Sequence, residues 1–151
     1  MYMNKKNEKG SISVLLAFFL VAILLFIGFA VDLGMLYYKQ LRLKEVGNMI
    51  RNARFNEELI IEYSDTPNKT FSDIAQDYAK KNGLRADQVR TDFTETSYTD
   101  NYRSYELNIY LTDTYQYTAL RLLGYTQQNI KVTIHGYGHI NDANGPWKPG
   151  L

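Results

Sequence analysis

Residues Ser11 to Val31 read SISVLLAFFLVAILLFIGFAV, and these 21 consecutive residues carry no charge. A helix of this length rises about 32 Å at 1.5 Å per residue, which matches the hydrocarbon thickness of a bilayer. Helical structure is expected because a helix satisfies its backbone hydrogen bonds internally, where lipid offers no partners. The stretch therefore predicts a transmembrane helix over residues 11–31.

The composition limits what surrounds this helix. A chain of 151 residues has room for one membrane helix and one water-soluble domain of about 100 residues. The net charge of +1 provides no field that would attract nucleic acid. The absence of cysteine excludes disulfides, thiolate metal sites and a cysteine nucleophile. The domain must therefore be held together by packing or by neighbouring subunits.

Residues 1–10 form a short basic tail that contains Lys5, Lys6 and Lys9. Such a tail is typical of the cytoplasmic side of a membrane segment. Four further basic residues lie between positions 39 and 51, so charge counting alone does not fix the orientation. We expect the N-terminus inside and the larger C-terminal domain outside the cytoplasmic membrane, because a short tail leaves the domain to be exported.

Two kinds of proteolytic processing compete with a permanent anchor. A signal peptidase would recognise the small residues Gly28 and Ala30, although the apolar run is longer than the usual ~7–15 residues of a signal peptide. A prepilin peptidase would cleave between Gly10 and Ser11, after the glycine that ends the basic leader. We expect the anchor to be retained, and the processing at Gly10 stays open.

The pattern after Val31 changes without a signal that would end the helix. Apolar residues recur there at helical spacing, which predicts an amphipathic stem helix over residues 32–55 in continuity with the membrane helix. The residues of this stripe are Leu36, Leu43, Val46, Ile50 and Ala53.

Residues 56–140 are expected to form an extracytoplasmic α+β domain. A turn over 57–69 leads into a helix from Phe71 to Asn82, with Thr70 as its N-cap. Period-two alternation predicts strands over 88–98, 104–112 and 129–140, and the first two form a hairpin. The stretch 114–124 favours a helix, and residues 141–151 favour a flexible tail. The result is a small three-stranded antiparallel sheet covered by helices, which is an α+β arrangement.

Three residues near the outer end of the membrane helix are candidates for packing. Asp32 lies about five residues inside the bilayer if the boundary is at Tyr37 and Tyr38, and it would then need a partner, such as a basic group on another subunit. Alternatively, the boundary lies at Asp32 itself. Ala30 and Gly34 form a small-xxx-small pair, which permits close approach of a second helix.

No pattern of catalytic or ligand-binding residues is visible. His135 and His139 would lie about 13 Å apart along one strand, too far to share a metal ion. Glycine-rich phosphate loops and nucleophile–base motifs are absent from the sequence. We therefore expect a protein that is not an enzyme and has no cofactor or metal. Seven tyrosines crowd residues 98–125, and some must be exposed, either for protein contacts or because tyrosine favours strands.

The N-terminal segment resembles TadE/TadG-like proteins, the membrane-anchored, minor-pilin-like components of the tight-adherence (Flp) pilus apparatus. The similarity is in the glycine at Gly10, the apolar helix, Val31-Asp32-Leu33-Gly34, Leu36-Tyr37 and the stretch from Gln40 to Leu43. A short segment ending in Leu122-Leu123-Gly124 before a last strand loosely resembles the usual C-terminal end of these proteins. The resemblance implies a pilus-assembly or pseudopilin-like role at the cell surface.

Leu15 departs from the processed members of this family, which carry a glutamate five residues after the cleavage glycine. The chain is therefore more similar to the uncleaved, TadG-type members. We expect a non-enzymatic, oligomeric membrane component that contacts other pilin-like or pilus-assembly subunits. The alternative is a single-pass, membrane-tethered sensing or binding domain with no role in pili, which would be purified as a monomer or with a ligand.

Overall fold

A single helix dominates the computed structural model, which describes residues 6–57, 61, 64–99, 102–140 and 148–149. This helix, α1, is Lys6–Asn56 and contains 51 residues. It has no proline, and so none of its interior peptide groups lacks a hydrogen-bond donor. The predicted continuation of the apolar helix into an amphipathic stem is confirmed.

The second helix, α2, is Pro67–Lys81. The helix predicted over Phe71–Asn82 is confirmed, but its predicted N-cap at Thr70 is wrong. Thr66 occupies the cap position and Pro67 opens the first turn, where the missing N–H of proline is not needed. The Thr70 hydroxyl instead lies 2.5 Å from the Ser64 hydroxyl. Asn82 ends the helix and Gly83 follows with a φ of 81°.

Four strands form one antiparallel sheet in the order β1-β2-β3-β4. The ranges are Val89–Thr99 for β1, Tyr102–Gln116 for β2, Gln127–Ile140 for β3 and Lys148–Pro149 for β4. The α+β class and the three principal strands are as predicted. β1 and β2 pair from Val89↔Leu111 to Thr99↔Tyr102, with an irregularity between Glu95 and Ser97. The expected hairpin is therefore present, although its turn residues 100 and 101 lie outside the described residues.

The stretch 114–124, predicted as a helix, is only partly helical. β2 continues to Gln116, and a 3₁₀ turn occupies Leu120–Leu123. The strand is longer than predicted because Tyr115 remains in phase with the buried side chains of Leu107, Ile109 and Leu111, so that its burial on the same face outweighs local helix propensity. Gly124 ends the 3₁₀ turn with a φ of 90°, a conformation that glycine adopts without strain.

The chain divides into two compact units. The first contains Met1–Tyr38 and Tyr115–Gln128, and the second contains Lys39–Thr114 and Asn129–Leu151. The second unit holds a hydrophobic core to which α1, α2 and the sheet contribute. Its fully buried residues include Ile50, Phe71, Leu107, Ile109 and Leu111.

The C-terminal residues contribute one short strand. β4 pairs with β3 through Gly138↔Pro149 and His139↔Lys148. This strand falls in the segment 141–151, for which a flexible tail is expected from the sequence. The other residues of that segment lie outside the described part of the chain.

Candidate functional site

The N-terminal half of α1 exposes many apolar side chains. Phe18, Phe19 and Phe26 are 64–73% exposed, and charged residues are absent between Lys9 and Asp32. The helix is long and apolar enough to cross a membrane. Such exposure to water is unfavourable for a surface of this size, and lipid is the environment that matches it.

Asp32 is the exception in this apolar surface because its side chain is fully buried. Its carboxylate accepts hydrogen bonds from the backbone N–H groups of Thr118 at 2.9 Å, Ala119 at 2.7 Å and Leu120 at 2.8 Å. The Tyr115 hydroxyl donates a fourth bond of 3.0 Å. Asp32 therefore has its partners within its own chain, and they are peptide groups and a phenol, not a basic side chain.

The local structure of residues 115–124 explains why these donors converge. The first N–H groups of a helical turn have no acceptor within the turn itself. A carboxylate satisfies them as an N-cap residue does, although here it comes from a distant part of the chain. Burial raises the pKa of the Tyr115 hydroxyl, and the neighbouring Asp32 carboxylate raises it further. The hydroxyl therefore stays protonated and remains a donor.

Gly28 lies one helical turn before Asp32 and permits the turn to approach α1. A Cβ atom at this glycine would lie 2.6 Å from the Cβ of Ala119, which is closer than van der Waals contact allows. Glycine is thus required at this position for the observed approach. Gly28, Asp32 and the turn together form the site that we name the aspartate clamp, consisting of Gly28, Asp32, Tyr115 and residues 118–120.

A second polar contact fixes the stem half of α1 within the other unit. Lys39 Nζ lies 2.9 Å from Asp113 Oδ2 and 3.0 Å from the Thr114 carbonyl oxygen. Gln88 Nε2 donates to the other oxygen of Asp113 at 3.0 Å. Burial alone would raise the pKa of Asp113, but the bonds from Lys39, the Thr114 N–H and Gln88 outweigh it and hold the pKa below its ordinary value.

The other residues predicted near the membrane boundary are exposed. Ala30 and Gly34 are both accessible, and nothing lies within 4 Å of a Cβ placed at Gly34. The close approach to this helix within the chain is made at Gly28 instead. A contact of Ala30 and Gly34 with a second helix stays a prediction, as does processing between Gly10 and Ser11, which are exposed residues of α1.

Most of the stem stripe is buried. Leu43, Val46, Ile50 and Ala53 are at most 3% exposed, while Leu36 is half-buried. Gly47 lies among them, and a Cβ there would come within 2.6 Å of Ile134 and 2.7 Å of Leu111. The stem therefore packs directly against side chains of β2 and β3, with Gly47 at the closest point.

The described residues contain no group of three His, Asp or Glu side chains that could hold a metal ion. His135 Nδ1 lies 2.6 Å from Asn108 Oδ1, which is a contact on the exposed surface of the sheet. Some tyrosines are exposed, as predicted: Tyr110 is 36% and Tyr125 is 61% accessible. By contrast, Tyr105 and Tyr115 are buried.

Sequence reasoning selected Asp32 but missed its partners. Peptide N–H donors carry no side-chain signature, and so residues 118–120 give no motif. The sequence marks Gly28 only as part of a possible cleavage sequence, and a glycine inside a helical pattern is the one signal for its close packing. The helical prediction over 114–124 includes Tyr115, which in the structure is a buried residue of β2.

Comparison with known proteins is informative for the N-terminal segment. Residues 10–44 match the family model Tad, described as putative Flp pilus-assembly TadE/G-like. No curated protein matches the chain, and no solved structure matches it. The match covers the apolar half of α1, Gly28 and Asp32, and it ends within the stem. The resemblance to TadE/TadG-like proteins found in the sequence is thus confirmed over residues 10–44.

Proposed function

We propose that this protein is a non-enzymatic, bitopic membrane component of a Tad/Flp-type pilus or a related secretion apparatus. One observation carries the proposal: the residues that match the TadE/G-like family are those whose apolar side chains are exposed on α1. A surface of this kind is suited to lipid or to the helices of other subunits in the membrane.

In this proposal, residues 11–31 cross the cytoplasmic membrane with the N-terminus inside. Residues 32–55 form a stem that carries the α+β domain outside, where it contacts other pilin-like or pilus-assembly subunits. Exposed aromatic residues such as Tyr110 and Tyr137 suit such contacts, because tyrosine brings a large contact area with little loss of rotamer entropy.

The membrane part of this proposal is tested by a pair of leucine-to-lysine substitutions in the same helix. Leu24 is 60% exposed in the apolar half and Leu41 is 39% exposed in the stem. A lysine at the centre of a membrane helix costs about 2.5–3.5 kcal/mol on insertion scales. We expect Leu24→Lys to reduce the membrane-bound fraction after carbonate extraction, whereas Leu41→Lys stays in the membrane. Equal extraction of the two variants would contradict the proposed span.

The pilus part is tested by cross-linking in native membranes followed by affinity purification of the full chain. Recovery of other pilin-like subunits supports the proposal. Recovery of a monomer only, with the same reagent cross-linking a known membrane complex in the same sample, would favour the tethered binding domain. The mass of the intact purified chain then distinguishes roles: a start at Ser11 indicates pilin-type processing, and a start at Met1 indicates a permanent anchor.

A further inference from the structure

Large apolar side chains are exposed in the 3₁₀ turn Leu120–Leu123, which begins at the aspartate clamp, and in the residues just after it. Leu122 is 74% exposed, Leu123 is 60% exposed and Tyr125 is 61% exposed. Arg121, which precedes them, is also exposed. Apolar side chains at such exposure, in a short segment that follows three N–H groups bonded to one carboxylate, form a surface that needs a partner.

The position of this turn along α1 identifies the partner. Ala119 lies against Gly28, and Gly28 is three residues before Val31, the last residue of the uncharged stretch. At 1.5 Å per residue, this contact is about 4–5 Å inside the end of the predicted span. The turn is therefore level with apolar residues of the helix that are themselves exposed, including Ile27 and Val31.

The backbone of the turn is also suited to a medium without water. Exposed peptide groups are expensive in lipid unless they are paired. In the segment 117–126, which contains the 3₁₀ turn, three N–H groups bond to Asp32, and four others bond to carbonyl oxygens of the segment itself. The residues whose N–H groups are paired in these two ways are Tyr117, Thr118, Ala119, Leu120, Leu122, Gly124 and Tyr125.

We propose that residues 119–125 are a second membrane contact, which inserts into the lipid interface beside α1. This inference rests on the proposed membrane function of α1. Leu122 and Leu123 enter the boundary of the acyl chains, and Tyr125 lies among the headgroups, where aromatic residues are favoured. Arg121 meets lipid phosphate. The turn also covers Asp32, so that its carboxylate is kept from lipid by protein donors.

A lipid occupant is favoured over a protein partner because the apolar surface of the turn continues that of the helix within one compact unit. Lipid that surrounds Ile27 and Val31 would reach the turn without any further component. A protein partner would instead require a separate complementary surface at the same depth.

The experiment is quenching of a single tryptophan by brominated lipid in the full chain. The protein is reconstituted in vesicles of phosphatidylethanolamine and phosphatidylglycerol, with Trp147→Phe removing the native tryptophan. Leu122→Trp reports the turn, Phe19→Trp reports the membrane helix, and Tyr110→Trp reports an exposed aromatic position on β2. These substitutions are at accessible side chains, and so they should leave the fold intact.

We expect strong quenching of L122W by bromine near the headgroups, strong quenching of F19W by bromine near the chain ends, and little quenching of Y110W. Quenching of F19W without quenching of L122W would overturn this inference and leave the anchor in place. Emission from L122W that is blue-shifted but not quenched would indicate a protein partner and would also overturn it. Absence of quenching for F19W would overturn the proposed membrane helix itself.

Discussion

The two halves of α1 have the same backbone and opposite surfaces. Up to Tyr38 the helix exposes apolar side chains on every face except the one that carries Gly28 and Asp32, with residues such as Phe18 and Phe26 more than 70% accessible. From Lys39 onward it buries one stripe, of which Ile50 and Ala53 are inaccessible. Charged residues such as Arg42 and Lys44 are exposed there, whereas Arg54 is buried. Both halves of α1 are therefore helical. The surface of the first half suits lipid, and the surface of the second half suits a water-soluble domain.

The two halves also differ in the polar contact that each makes through a carboxylate group. In the apolar half, the carboxylate is on the helix, at Asp32, and the donors are peptide groups. In the stem half, the helix supplies the cation, Lys39, and the carboxylate of Asp113 is on β2. The donors to Asp32 are uncharged peptide groups and the Tyr115 hydroxyl, whereas Lys39 and Asp113 form a partly buried ion pair.

The largest effect is expected from Asp32→Ala, which removes the acceptor of the clamp. Three partly buried N–H groups then lose their acceptor, and the loss for a fully buried group, about 1–3 kcal/mol, is the upper bound for each. We expect the 115–125 segment to detach and trypsin to cleave after Arg121 much faster in the detergent-solubilised chain. Asp73→Ala, at an exposed carboxylate of α2, is the control. Equal cleavage rates for D32A and the unmodified chain would refute the structural role of the clamp.

A pair of isoleucine-to-alanine substitutions compares the two halves directly. Ile50 is fully buried and Ile23 is 48% exposed. Replacing a buried isoleucine by alanine typically lowers the free energy of unfolding by about 2–5 kcal/mol. Ile50→Ala should therefore lower the urea midpoint of the domain, which is measured by the near-ultraviolet circular dichroism of the tyrosines. Ile23→Ala should leave this midpoint unchanged. Equal shifts of the urea midpoint in both variants would contradict the difference in burial between the two halves of α1.

Gly28 and Gly34 provide a comparison within the apolar half. A Cβ at Gly28 collides with Ala119, and overpacking of this kind costs about 1–3 kcal/mol. Gly28→Ala should therefore increase trypsin cleavage at Arg121, though less than D32A does. Gly34→Ala meets no atom of the chain and should leave cleavage unchanged. If G34A nevertheless reduces cross-linking between copies in membranes, the predicted contact of Ala30 and Gly34 with another helix gains support.

The smallest effect is the pH dependence of the stem contact. The pKa of Asp113 is lowered in the folded chain, and so its contribution to stability is complete above the ordinary aspartate pKa of about 3.9. That contribution is lost as the pH falls through the lower, folded value. We expect Asp113→Asn to reduce the urea midpoint at pH 7 and to reduce it by a smaller amount at pH 3. A difference that is as large at pH 3 as at pH 7 would contradict the assignment.

Local patterns predicted the stem and the sheet well, because their burial follows from spacing in the chain. Leu43, Val46 and Ile50 recur at helical intervals, and alternation in β2 places Leu107, Ile109 and Leu111 on one face. The clamp could not be predicted in this way. Its donors are backbone groups that every residue except proline carries, and they reach Asp32 only through the tertiary structure.

The error at residues 114–124 has a related cause. Ala119, Leu120, Leu122 and Leu123 all favour helices, and their local preference suggested a longer helix than the 3₁₀ turn observed. Tyr115 and Gln116 are held in β2 by pairing and burial, which a single-sequence pattern does not weigh. Propensity therefore identified the short turn but not where it begins.

The clamp also has a consequence for the order in which the protein is made. Asp32 is synthesised early, and the first of its N–H donors, Thr118, follows 86 residues later. Because a chain is produced from its N-terminus, the carboxylate stays uncovered until almost the whole domain has emerged. In the membrane arrangement proposed above, a bare charge resists entry into lipid, and so the helix would reach its final depth only when residues 115–120 have folded against it. A chain that ends before residue 115 is then expected to hold residues 11–31 at a different depth, because it lacks the donors to Asp32.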